Sequence, residues 1–260
     1  MTIKKEFEQN GFYIHKLSTK KPISDIQNVI LRSNHNKIKD QNLFDLKSLS
    51  LQHKIYNQNT HIKILNFEKN FFLKVLGIKS FKDLCVTSFF HLRAVNKISK
   101  KKKKNFLGFH RETFYSDHPY TKHQINVSVP ILNYNKMNSM KLVTGSHKIP
   151  DSKIKTIRLD SSISGVEKGS AKHKLGIPYN PKKIISGVNL SKAKRADVEV
   201  GSLLIFSAML IHGNGSNNFN KIRYSIDFGL IKKKFIKNKK IKEHHISYSK
   251  SKKYWINLGL

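Results

Sequence analysis

The chain has a single cysteine, Cys85, so no intrachain disulfide can form and the fold does not depend on an oxidising compartment. Its apolar runs are short. The longest, Leu203 to Ile211, is interrupted by Ser207 and falls well below the ~20 residues needed to span a bilayer. The start, Met1-Thr-Ile-Lys-Lys-Glu-Phe-Glu, lacks the apolar stretch that follows the lysines of a secretory signal. The expectation is a protein of the reducing cytoplasm with no membrane partner. Acidic residues are also few, 16 against 50 basic ones, for a net charge of +34. Arginine is scarce within that excess: Arg32, Arg93, Arg111, Arg158, Arg195 and Arg223 leave 44 of the 50 basic residues as lysine. Lysine on a solvated face gives solubility and a long-range pull on anions, whereas reading of bases or phosphates draws on arginine forks. The charge therefore reads first as solvated surface. Its densest runs, Lys100 to Lys104 and Lys232 to Lys242, could also steer an acidic substrate, and no specific nucleic-acid partner is expected.

With 260 residues and 38% hydrophobic content, the chain can bury one sizeable core as a single domain, residues 1–260. Residues 1–84 read as a mostly helical flank, with Ile23, Ile26, Val29 and Ile30 at helical spacing and a further helix from Phe67 to Leu76. From Ser88 the pattern changes to short β-type runs at 89–95, 125–132, 141–144, 196–200, 203–206 and 222–230. Gly145-Ser146-His147, Gly201-Ser202 and Gly213-Asn214-Gly215 supply the turns between them. Residues 151–194 are polar, with scattered Gly and Pro, and read as an insertion or lid in a core of 85–230. The basic tail, 231–260, carries Tyr254, Trp255, Ile256 and Leu258, which could dock its end on the body.

The chemistry lies in a spacing. In an extended strand, residues two apart share a face, so His110 and Glu112 can reach one ion while Arg111 points away. His212 follows an apolar strand and precedes a Gly-x-Gly turn, where its ring can face the same interior. Two imidazoles and one carboxylate suit Fe(II) and leave coordination positions open for a bidentate 2-oxo acid and dioxygen. On the next strand, alternation places Arg223, Ser225 and Asp227 on one side and Tyr224, Ile226 and Phe228 on the other. A guanidinium fork beside a hydroxyl can bind the distal carboxylate of 2-oxoglutarate.

Taken in order, these stretches resemble the phytanoyl-CoA dioxygenase type of Fe(II)/2-oxoglutarate-dependent oxygenases. The likeness rests on Leu92-Arg93-Ala94-Val95, Gly108-Phe109-His110-Arg111-Glu112, Asn126 through Ile131, Asn138-Ser-Met, Thr144-Gly-Ser-His-Lys148, Gly201 through Phe206, and His212 through Arg223. It covers roughly residues 85 to 230. The resemblance implies a mainly β fold, a double-stranded β-helix or jelly roll, flanked here by the N-terminal helices. It also implies iron on His110, Glu112 and His212, and 2-oxoglutarate on Arg223, with Ser225 and Asn126 assisting. Arg93 matches an arginine on a pocket-facing strand of relatives, which places it with the substrate.

One departure is Glu112, where the usual carboxylate is Asp; carbohydrate-cluster members resemble this chain there. A carboxylate at this position argues against halogenation, and the lack of a second arginine after Arg223 argues against nucleic-acid demethylation. The implied activity is hydroxylation or a related oxidation of a small molecule, a carbohydrate or secondary-metabolite precursor, coupled to decarboxylation of 2-oxoglutarate. An acyl-CoA is the alternative substrate, since its phosphates suit the lysine excess, and a non-catalytic polyanion-binding jelly roll is the alternative of another class. Tyr115, His118 and His123 follow the metal motif and read equally as a substrate mouth or a polar loop. His147 reads as part of a turn, and His244-His245 as surface.

Overall fold

Alternation of apolar residues at two different periods builds two layers. The computed structural model describes residues 1–38, 40–96, 108–115, 118–159, 166–236 and 254–259. α1 (Ile3–Asn10) is capped by Thr2, whose side chain accepts from the Lys5 amide, and ends at Gly11 with φ +82°. β1 (Phe12–Lys16) follows, then α2 (Lys21–Arg32), which carries Pro22 in its first turn and buries Ile23, Ile26 and Ile30. α3 (Gln41–Tyr56), with Asp40 as its cap, leads to α4 (Thr60–Phe67) and α5 (Lys69–Leu76). The run expected from Phe67 to Leu76 is thus split at Glu68, whose carboxylate is occupied by His15 and Ser18.

The strands come next: β2 (Leu84–Thr87), β3 (His91–Val95), β4 (Ile125–Leu132) and β5 (Lys141–Leu142). Within 151–194, β6 (Lys155–Arg158) and β7 (Lys182–Ser186) pair with each other, and α6 (Ala171–Lys174) lies between them. β8 (Lys194–Arg195), β9 (Ser202–Ser207), β10 (His212–Gly213), β11 (Arg223–Lys232) and β12 (Trp255–Asn257) complete the order.

The large antiparallel sheet runs β1-β9-β4-β11-β2-β12, and β3 pairs with the first half of β11. The small sheet is β10-β5-β8, extended by a bridge between His110 and His212. Along β4, Val127, Val129 and Ile131 pack on the helices, as do Leu203 and Ile205 of β9 and Tyr224, Ile226, Phe228 and Leu230 of β11. The opposite face meets the small sheet, where Leu204 and Phe206 pack with Met140, Leu142, Ala196 and Val198. Two facing sheets of this kind form the jelly roll expected from the sequence.

Several elements differ from expectation. β1 lies inside the helical flank and pairs along its whole length with β9, so this part of the flank belongs to the large sheet. The strand expected over 196–200 is instead two residues at Lys194–Arg195. Ala196 and Val198 are buried alternately, and the ladder stops after the Ala196 amide donates to the Met140 carbonyl, because the Ala196 carbonyl is taken by the Ser139 hydroxyl. The tail docks as expected: Trp255–Asn257 pairs with β2, and Trp255 is buried beside Tyr120 and Ile231. The 151–194 segment is tied down, since Lys172 approaches Asp45 of α3 at 3.7 Å and the Leu175 carbonyl accepts from Arg93. Lys100 to Lys104, Lys237 to Lys242 and His244-His245 lie outside the described residues. Among the described residues, no helix is long and apolar enough to cross a membrane.

Candidate functional site

His110 and His212 face each other across the small sheet. Their backbones exchange two hydrogen bonds, His110 N to His212 O at 2.8 Å and His212 N to His110 O at 2.9 Å, and their rings stand 4.3 Å apart. Each Nδ1 lies 2.9 Å from a backbone carbonyl, of Gly108 for His110 and of Leu210 for His212. A carbonyl can only accept, so both Nδ1 atoms donate, which leaves Nε2 as the nitrogen through which either ring can bind a metal. Burial, reinforced by the neighbouring His212, pushes the His110 pKa well below its ordinary value and keeps the ring neutral.

Glu112 completes the set, though not by strand geometry alone. Arg111 is extended, but Glu112 opens a single 3-10 turn, Glu112–Phe114, and its amide is held by the Ala208 carbonyl. The turn still delivers the carboxylate to the expected side, with Oε1 3.6 Å from His212 Nε2. One ligand atom from each of His110, Glu112 and His212 lies within 4.8 Å of the others, near enough to share an ion. Arg111 points the other way, as strand parity requires, and is fully buried.

Asn126 sits on the inward face of β4, where its side-chain amide donates to Glu112 Oε1 at 3.1 Å and its oxygen accepts from Gln124 at 2.7 Å. Asn126 thus touches the carboxylate of the candidate metal-binding cluster, a contact that the strand pattern of β4 could have suggested but that sequence reasoning missed. Tyr115 also lies at the site, its ring 5.4 Å from that of His110, and burial raises its hydroxyl pKa. His118 and His123 go elsewhere, stacked on Tyr120 and Phe235 respectively. His147 lies in the 3-10 turn Ser146–Lys148, packed against Gly11 and bonded to the Glu8 carbonyl.

β11 sends Arg223, Ser225 and Asp227 inward, as its alternation predicts. Arg223 is only 3% exposed, and it donates to the Asn138 and Gly215 carbonyls. Its guanidinium lies over the Tyr134 ring at 5.0 Å. Among the described residues no carboxylate forms an ion pair with it, and its buried Nε has no hydrogen-bond partner. A buried cation without an anion is costly, so this donor fits an anionic ligand. Ser225 is buried next to it on the same face, opposite Arg93 of β3. Arg93 pairs with Asp227 at 3.1 Å, and Asp227 also accepts from Ser128 at 2.6 Å. This polar network was not foreseen beyond the inward parity of Asp227.

Solved structures share the fold. The apo form of the non-heme monooxygenase ThoJ is 14% identical, with a TM-score of 0.53 over 88% of this chain and 77% of that one. EvdO2 from Micromonospora carbonacea var. aurantiaca, complexed with 2-oxoglutarate, is 10% identical, with a TM-score of 0.57 over 88% and 89%. The epimerase SnoN, in complex with Fe3+, alpha ketoglutarate and nogalamycin RO, is 10% identical, with a TM-score of 0.51 over 88% and 82%. The chain has the fold of the non-heme oxygenases. No protein-family model and no curated protein match the sequence.

Proposed function

We propose that the protein is an Fe(II)- and 2-oxoglutarate-dependent oxygenase that hydroxylates or otherwise oxidises a small molecule, a carbohydrate or secondary-metabolite precursor. The observation that carries this reading is the presence of two buried groups of opposite character. His110, Glu112 and His212 bring one ligand atom each within 4.8 Å of the others, and Arg223 presents a buried cation that no carboxylate pairs with among the described residues. Neutral imidazoles and a carboxylate fit a divalent iron, and the unpaired guanidinium fits the distal carboxylate of a dicarboxylate. When bound, iron and 2-oxoglutarate supply the oxidation, with dioxygen consumed and the cosubstrate decarboxylated to succinate.

The chain's own groups have separate tasks. Gly108 and Leu210 fix the histidine rings through Nδ1, Asn126 holds the longer arm of Glu112, and Ser225 stands beside Arg223 to donate to the dicarboxylate. Arg93 and Tyr115 are assigned to the substrate, a reading supported by the pairing of Arg93 with Asp227 and by the contact of Tyr115 with His110. A small-molecule substrate is supported by SnoN, whose complex contains nogalamycin RO. The test is absorption of the anaerobic Fe(II) and 2-oxoglutarate complex. His110→Ala and His212→Ala should each abolish the charge-transfer band, and an unchanged band in both overturns the assignment. Succinate release screened against sugar nucleotides, acyl-CoAs and free amino acids then selects the substrate class.

A further inference from the structure

Both metal-facing segments converge on one residue outside the site. Ser146, 2% exposed, accepts the Ile211 amide on its hydroxyl at 2.8 Å, immediately before His212. Its carbonyl accepts from Arg111 Nη2 at 2.7 Å, and Arg111 stands between His110 and Glu112. Arg111 Nη1 also donates to the Ile149 carbonyl at 2.8 Å and to Asp151 at 2.7 Å. A guanidinium with no exposure is expensive to bury, and it points away from the ligands on either side of it. Its partners explain its presence, since they are the Asp151 carboxylate and two inward carbonyls of a turn, acceptors that a hydrocarbon side chain would leave unsatisfied.

We propose that Ser146 and Arg111 form a latch that fixes the spacing of the His110–Glu112 segment against His212 and thereby sets the metal site. Among the described residues, the backbone hydrogen bonds that join the two segments directly are the bridge of the two histidines and the bond from the Glu112 amide to the Ala208 carbonyl. A two-bond bridge at the end of a short sheet opens easily by itself, and the latch closes it from behind through side chains that never touch the metal. Both are positioning residues, and Gly145-Ser146-His147-Lys148 acquires a role through its second residue. The functional consequence rests on the metal-centre reading above; the mechanical claim does not.

The test uses the metal-free full chain. Ser146→Ala should raise amide hydrogen exchange at His110 as well as at Ile211 and His212 by about tenfold or more, with the far-UV circular dichroism spectrum retained. Ser146→Thr, which keeps the hydroxyl, should restore protection. Co(II) titration of the same proteins should show affinity weakened about 10- to 100-fold in Ser146→Ala and recovered in Ser146→Thr. Arg111→Lys gives a second arm if Ser146→Ala fails to fold, and should loosen His212 although it lies on the other segment. Faster exchange confined to the mutated residue's own segment overturns the latch. If the wild-type protein binds no Co(II), the metal reading fails, while the exchange data still decide the latch.

Discussion

Replacing Arg223 by Met separates a residue that holds the fold from one that waits for a ligand. The substitution keeps roughly the same length and removes a charge buried at 3% exposure. It forfeits donors to the Asn138 and Gly215 carbonyls, at about 1–3 kcal/mol for each acceptor left dry. It also removes the desolvation of an unpaired guanidinium, several kcal/mol after relaxation. These terms nearly cancel, so the free protein should keep its melting temperature within about 4 °C, since 1 kcal/mol shifts a chain of this size by about 2–4 °C. The bound state should differ sharply. With Mn(II) present and 2-oxoglutarate at 100 times its Kd, the parent gains about 2.7 kcal/mol, or roughly 5–10 °C, and the variant should gain nothing at that concentration. Differential scanning calorimetry with and without 2-oxoglutarate reads both quantities. A loss of more than about 10 °C in the free variant would make Arg223 a structural strut, and an undiminished ligand shift would remove it from the cosubstrate site.

Asn126→Ala should weaken Co(II) binding about 10- to 100-fold by releasing Glu112 Oε1. Isothermal titration should detect the loss, and an affinity within twofold of the parent would place Asn126 outside the metal assembly. His61 supplies a pH prediction remote from the site. Burial, against Phe90 and Phe228, pulls its pKa to about 4, whereas the unfolded chain binds that proton near 6.5. Its contribution to stability is therefore complete above about pH 6.5 and lost as pH falls toward 4, roughly 3 kcal/mol in all. His61→Phe should flatten this decline in urea midpoints measured between pH 7 and pH 4.5, and a parallel decline in both proteins would refute it.

The sequence disclosed the sheet better than its supports. β4 alternates from Ile125 to Ile131 and β11 from Arg223 to Leu230, so their faces were assignable before any pairing was known. α3 was not legible, because the face it buries includes Asp45, Ser48 and Gln52 beside Phe44, Leu51 and Ile55, and polar residues on the inner stripe erase an apolar period. Those residues are partnered: the Gln52 side chain accepts the Leu92 amide and Ser48 bonds His35. β1 was hidden for another reason. Five residues flanked by helices carry too little pattern, and its identity as a strand comes from the edge of β9 that it covers. At 196–200 the alternation was real but reported burial rather than pairing.

The same distinction explains why the candidate ligands were legible while their supporting bonds were not. An inward parity can be read along one strand, which sufficed for Arg223, Ser225 and Asp227. A contact between Asn126 and Glu112, or between Ser146 and the segments of both histidines, joins residues whose relative depth is set by sheet packing. The polar character of one face was nevertheless a physical signal. A buried strand whose inward positions are Asn126 and Ser128, facing another with Arg223, Ser225 and Asp227, would be a poor choice if hydrophobic packing alone were at stake. Asp227 satisfies part of that cost within the sheet by binding Ser128 and Arg93. Arg223 Nε finds no hydrogen-bond partner there, and His110, Glu112 and His212 gather three ligand atoms within 4.8 Å of one another, which is why the proposed function places its ligands on this face.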